Sequence, residues 1–231
     1  TVPMTKVLSL GGSIVAPEGP DAAFLKSLVS LCREWLAADA NRRLVVVVGG
    51  GGPARAWQAA YRGAVEAPDA AAQDWIGIMA TRLNAQLVKA AFGELAPHEV
   101  VQDPTAVSVF TGRVLVAAGW KPGFSTDYDA VMLAQAFGAD TVANLSNIAK
   151  VYTADPRLDP AAKPIDSVSW KDFRAMVGDE WTPGKNVPFD PVASRRAEEL
   201  GLRVVCAAGK DLTNLQAILD GKPFFGTTIG V

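Results

Sequence analysis

The chain has 231 residues, 49% of them hydrophobic, with a formal net charge of −2, one histidine and two cysteines. That apolar content excludes a disordered chain, and the near-neutral balance argues against a nucleic-acid platform, which needs clustered cations. His98 alone cannot build a histidine-rich metal site, and Cys32 and Cys206, each inside an apolar run, read as reduced core residues of a cytoplasmic protein.

No apolar stretch reaches the roughly 20 residues of a membrane span, and the first residues show no signal-peptide pattern. In chain order, residues 6–10 (KVLSL) read as a buried strand ending at Gly11-Gly12. Residues 22–38 carry apolar side chains at helical spacing after Pro20 and Asp21. Residues 44–48 (LVVVV) are a second strand, stopped by four glycines, and 53–65 a helix with Pro53 in its first turn. A long helix follows at 70–91, then a strand at 113–118, a helix at 127–137 and a strand at 141–145. The Pro- and Asp-rich stretch 151–188 reads as irregular, with one helix at 170–177. The chain closes with a helix at 191–200, a strand at 203–207, a helix at 214–219 and a short strand at 227–229. Fully apolar strands alternating with helices predict an α/β fold, a mostly parallel sheet covered on both faces. The expected organisation is one domain over residues 1–231.

Each glycine-rich segment falls at the carboxyl end of an expected strand: Gly11-Gly12-Ser13, residues 49–52, and residues 119–123. A single glycine after a strand is usually a tight turn. Three such loops, with Ser13, Arg55 and Lys121 beside them, point instead to a ligand with several phosphates. Neither a GxxxxGK[ST] loop nor a full GxGxxG fingerprint is present, and no GxSxG elbow appears. Asp127 follows Ser125-Thr126 at a helix start, where a carboxylate suits the helix dipole and could also organise a site. Asp190, before Pro191, reads as an N-cap.

The segments LSLGGSI (8–14), VVGGGGPAR (47–55), DWIGIMATRLNAQL (74–87), GWKPGFSTDYDAVMLAQAFGAD (119–140), NLSNIAKVYTADPRLDPAAKPID (144–166) and GTTI (226–229) have a familiar order and spacing. On them the chain resembles the amino acid kinase family, and within it the archaeal-type uridylate (UMP) kinases. The resemblance implies a single αβα sandwich around a mostly parallel sheet. It implies an acceptor site over about residues 1–138 and an ATP site over about 139–231. It implies transfer of the ATP γ-phosphate to UMP with Mg²⁺, and a homo-oligomer, a hexamer in this family. Carried over by position, Gly49, Asp74, Trp120, Lys121, Pro122, Gly123, Phe124, Ser125 and Thr126 would hold UMP. Gly12, Ser13, Gly50, Arg55, Ser146, Asn147, Tyr152 and Asp155 would hold ATP. Asp127 and Arg55 would be the catalytic residues, and no side-chain metal site is implied. The alternative is a non-catalytic nucleotide- or oxyanion-binding homologue, such as a molybdate- or tungstate-storage protein.

Two departures stand out. Ser9 occupies a position where many members carry lysine. Ala149-Lys150 replaces the usual Asp-Gly of an N-V-D-G-V-Y segment. If that glycine held a positive φ, Lys150 would cost on the order of 1 kcal/mol and distort the donor loop. Alternatively, Lys150 would reach an ATP phosphate. Arg82 and Asn84 would contact a neighbouring subunit or cap structure, and Trp35, Trp57 and Trp75 would pack on their helices.

Overall fold

Runs of valine and leucine bounded by glycine set the frame of the computed structural model, which describes residues 2–179 and 187–231. Strand β1 (Met4–Leu10) leads into a single helical turn, α1 (Gly12–Val15), which sequence reading took for part of a glycine turn. Then come α2 (Ala22–Ala37), β2 (Arg42–Val48), α3 (Gly51–Ala64), α4 (Ala70–Phe92), β3 (Val114–Ala117), α5 (Thr126–Ala136) and β4 (Thr141–Ser146). The chain continues through β5 (Val151–Tyr152), β6 (Pro164–Ile165), β7 (Ser167–Val168), α6 (Trp170–Val177), α7 (Pro191–Glu199), β8 (Arg203–Ala208), α8 (Leu212–Leu219) and β9 (Thr227–Ile229).

Helix starts follow local chemistry. Asp21, Asp69, Ser125, Asp190 and Asp211 each accept an amide hydrogen bond from the first turn they precede. Such caps satisfy backbone donors that have no partner within the helix. Helix α3 begins at Gly51, two residues ahead of the expected start, so Pro53 still lies in its first turn.

The sheet runs β3-β2-β1-β4-β8-β9-β7. The pairs from β3 across to β8 are parallel, and β9 lies antiparallel to β8. Alternate strand residues feed two apolar layers. Leu8, Leu10, Leu44, Val46 and Val48 pack with α2, α4 and α8 on one face. Val7, Val45 and Val47 pack with α5, α6 and α7 on the other. The expected αβα sandwich is therefore present. The stretch read as irregular holds more order than expected: β5 and β6 form a separate antiparallel pair, and β7 extends the main sheet. Its residues 180–186 lie outside the described part.

Strand order reverses at β1, which is flanked by β2 and β4, and such switch points place ligands at strand carboxyl ends. Here the chain is stitched by backbone bonds: Gly11 N–H to Leu145 O at 2.8 Å and Gly49 N–H to Leu10 O at 3.0 Å. A Cβ on Gly12 would run into the backbone of Gly49, Gly50 and Gly51, and one on Gly49 would stand 2.6 Å from the Gly12 nitrogen. Gly12→Ala is therefore expected to push the two loops apart. It should cost about 1–3 kcal/mol in urea unfolding and cut turnover at least tenfold; wild-type values for both would show that the loops tolerate separation.

Candidate active site

A cavity of about 300 Å³ opens beside these loops. Three segments far apart in sequence line it: Gly50, Gly51 and Arg55 at the start of α3; Asp74, Gly77 and Thr81 on α4; and the loop from Lys121 to Thr126, with Asp190 at its edge. Of the residues expected to hold UMP, Asp74, Lys121, Pro122, Gly123, Phe124, Ser125 and Thr126 line it. Gly49 and Trp120 sit behind the lining. The Gly49 carbonyl accepts from Asn84 Nδ2 at 2.9 Å, and the Trp120 ring stacks on Phe124 with centroids 4.6 Å apart. Two residues expected on the ATP side, Gly50 and Arg55, face this cavity as well.

A second cavity of about 590 Å³ lies over the residues after β4 and includes Asn147, Tyr152 and Asp155. Ser146 is not among its lining residues; its hydroxyl accepts the Ile148 amide at 3.0 Å and shapes the turn. Asp155 is gripped by Arg157 at 3.1 and 2.8 Å. Gly12 is buried at the root of the loops, and Ser13 Oγ accepts from Arg55 Nη1 at 2.9 Å. Arg55 Nη2 also donates to the Pro17 carbonyl at 2.9 Å, so its guanidinium is fixed in place.

Asp127 joins three elements. Its Oδ1 accepts from Ser9 Oγ of β1 at 3.4 Å, and its Oδ2 accepts the Asp190 amide at 3.1 Å. Asp190 caps α7 as read from sequence, and it does more: its Oδ2 accepts from Ser125 Oγ at 2.7 Å. Ser9, where a lysine was noted as missing, thus holds Asp127. Burial pushes the Asp127 carboxyl up to about 6, helped by the neighbouring Asp190 charge and opposed by the Asp190 amide and the Ser9 hydroxyl.

Thr81 went unread in the sequence, and Arg82 and Asn84, noted there for a subunit or capping contact, make their bonds within this chain. Thr81 Oγ1 accepts the Gly119 amide at 2.8 Å, and Arg82 donates to the carbonyls of Gly119 and Trp120 at 3.3 and 2.9 Å. Asn84 also holds the Gly50 carbonyl, at 3.0 Å. Arg82 and Asn84 therefore brace the site's own loops. A polar residue on the inner face of an otherwise apolar helix was the available signal. Asp129, also unremarked, is fully buried, and neither carboxylate oxygen has a hydrogen-bond partner. Burial, then the Asp127 charge, push it up to about 8.

The reading of Lys150 needs correction. Among the described residues no non-glycine has a positive φ, so Lys150 carries no left-handed strain. Its ammonium pairs with Asp166 and lies 4.6 Å over the Phe225 ring, and Lys150 also lines the second cavity. Of the three tryptophans expected to pack, Trp35 is buried, while Trp57 and Trp75 are exposed.

The sequence model of the amino acid kinase family matches residues 4–208. The chain belongs to the amino acid kinase family. Among its relatives in that family, the uridylate kinase of Methanospirillum hungatei is 38% identical over 97% of this chain and 94% of its own length. That of Pyrococcus abyssi is 32% identical over 98% and 99%. The crystal structure of uridylate kinase from Archaeoglobus fulgidus superposes with a TM-score of 0.81 at 30% identity, covering 98% of this chain and all of that one. A UMP kinase structure from Bacillus anthracis, 18% identical, shares the fold with a TM-score of 0.76, covering 98% of this chain and 95% of its own.

The buried Asp129 has a measurable consequence for this family member. An unfolded aspartate ionises near pH 4, whereas folded Asp129 ionises at about 8. Between those values the folded chain keeps a proton that the unfolded chain has released, so stability falls as pH rises through the window and levels off above it. Relative to Asp129→Asn, the wild-type melting temperature should fall steadily from about pH 4 to about pH 8. Parallel melting curves for the two proteins would show that Asp129 ionises normally.

Proposed function

We propose that the chain transfers the γ-phosphate of ATP to UMP, giving ADP and UDP. The observation that carries this reading is the first cavity, where Arg55, Asp74 and the loop 121–126 converge from three segments. Near full-length similarity to archaeal proteins called uridylate kinases supports it.

In this reading the acceptor lies over the N-terminal half and ATP over the C-terminal half. Asp74 accepts hydrogen bonds from the ribose hydroxyls, as a carboxylate with two oxygens does well. Gly49, Trp120 and the loop residues Lys121, Pro122, Gly123, Phe124, Ser125 and Thr126 shape the pocket for base and phosphate. Gly12, Ser13 and Gly50 offer backbone and hydroxyl groups to the transferring phosphates. Ser146, Asn147, Tyr152 and Asp155 hold the donor nucleotide, with Asp155 exchanging its Arg157 contact for the ligand.

Phosphoryl transfer passes through a loose transition state that needs in-line positioning and charge neutralisation more than covalent help. Arg55, pinned by Ser13 and Pro17, supplies a fixed cation without a large ordering cost. Asp127, held by Ser9 and by the Asp190 amide, orients the groups between the two nucleotides. Mg²⁺ supplies charge neutralisation on the triphosphate when bound. Beside a triphosphate such an ion is carried mainly by phosphate oxygens and water, with one or two carboxylates at most. The storage-protein alternative is not favoured, because the relatives matched over nearly the whole chain carry a kinase name.

An ADP-release assay across UMP, CMP, dUMP, AMP and no acceptor tests the reading, with UMP expected to be preferred. Asp74→Asn should weaken UMP more than ATP, by about 1.5–3 kcal/mol for one charge-assisted bond. Arg55→Ala and Asp127→Asn should each lower turnover at least tenfold with melting unchanged. Equal rates with AMP and UMP, or wild-type rates in both variants, would sink it.

The proposal includes a cytoplasmic homo-oligomer. No helix among the described residues is long and apolar enough to cross a membrane, and Cys32 and Cys206 are free and buried. Helices α3 and α4 expose Trp57 (69%), Met79 (53%) and Leu83 (69%) along one apolar groove, a face suited to a second copy of the chain. Leu83→Glu with Met79→Glu should lower the mass in light scattering by at least half; an unchanged mass would place the contact elsewhere.

A further inference from the structure

The loop that closes the first cavity begins at Gly119, and its first peptides lie between α4 and α5. On one side α4 contributes Thr81, which accepts the Gly119 amide, and Arg82, which donates to the carbonyls of Gly119 and Trp120. On the other side lies Asp129 of α5. It is 0% exposed and both its oxygens lack hydrogen-bond partners. The Trp120 amide is near enough to favour its anion but completes no hydrogen bond. Trp120 then stacks on Phe124 and Phe124 on Tyr128, the residue before Asp129, with centroids 4.6 and 4.8 Å apart. The loop and the first turn of α5 are therefore packed together by a continuous aromatic stack.

A buried carboxylate with no partner is costly as an anion and tolerable as an acid. The charged groups around Asp129 increase that cost. Asp127 on its own helix and Asp103 from the loop before β3 are both anionic neighbours. Among the charges of the described residues that act on Asp129 there is no cation; Arg82 is engaged on the loop carbonyls, and Lys121 lies over the Trp120 ring at 4.3 Å and acts on Asp103.

We propose that Asp129, buried beside the acceptor loop, is uncharged in the form that binds acceptor best, and that its ionisation weakens binding of the acceptor phosphate. The inference rests on UMP as the acceptor. Uncharged, Asp129 leaves the field of Arg82 and Lys121 available to a phosphate dianion. Ionised, it places a negative charge under the loop, where low dielectric strengthens repulsion, and it pulls the Trp120 amide toward α5.

Isothermal titration of wild-type protein with UMP, from pH 7 to 8.8, tests this below ionisation of the uracil ring. A phosphate monoester has its second ionisation near 6, so UMP stays dianionic throughout. With Asp129 ionising at about 8, the dissociation constant should rise about fivefold over this range. At pH 8.8, titrations in buffers of different ionisation enthalpy should show uptake of more than half a proton per UMP bound. Asp129→Asn, a neutral isostere, should keep the dissociation constant within about twofold across the range, and in both proteins kcat should change less than the KM for UMP. Wild-type binding with no change in affinity and no proton uptake overturns the inference alone, whether or not the variant folds. A pH dependence that persists in Asp129→Asn also overturns it. Absence of UMP binding at pH 7 overturns the acceptor reading, and this inference with it.

Discussion

The approach of Gly12 to Gly49, Gly50 and Gly51 is the contact on which the rest of the site depends. Adjacent parallel strands run about 4.8 Å apart, and the turns that leave them ordinarily need room for side chains. Without a Cβ on either side, the loops after β1 and β2 touch backbone to backbone. That contact lets α1 and α3 start side by side at the same sheet edge. It also brings Ser13 within reach of Arg55, so a cation on one helix is fixed by a hydroxyl on another.

A second tie crosses the sheet in the other direction. Ser9 on β1, Asp127 at the start of α5 and Asp190 at the start of α7 form a connected chain of hydrogen bonds, with Ser125 closing it. Each member does a local job, Ser125 and Asp190 as helix caps. Each also fixes the next, so the carboxyl end of β1 is coupled to the two helix starts that border the first cavity. Burial raises the proton affinity of Asp127 and of Asp129 first of all, with the Asp190 charge adding to it at Asp127 and the Asp127 charge at Asp129.

The second cavity is held differently. Lys150 stands where the resemblance leads one to expect glycine, yet the backbone there is ordinary, and the side chain reaches across to Asp166 and Phe225. The Val151 amide donates to Thr227 Oγ1 at 2.9 Å, and that hydroxyl donates to the Ile165 carbonyl. The loop is thereby fastened to β6 and β9 by side chains instead of by a turn.

Sequence alone determined the alternation of strands and helices, because strands buried on both faces must be apolar throughout, as residues 44–48 are. It also determined where the glycine loops and most helix caps fall, since these depend on residue types within a few positions. Of the nine residues expected to hold the acceptor, seven line the first cavity. Tertiary structure decided what depends on contacts between distant segments. Strand order, the antiparallel β9 and the edge strand β7 follow from pairing geometry that no local pattern encodes. That Asn84 and Arg82 brace loops 35 and 37 residues away, that Ser9 meets Asp127, and that Lys150 turns toward Asp166 are likewise outcomes of packing. Asp129 shows the limit most plainly: in sequence it is one more acidic residue in a helix's first turn, where the dipole welcomes it, and only the fold removes it from water.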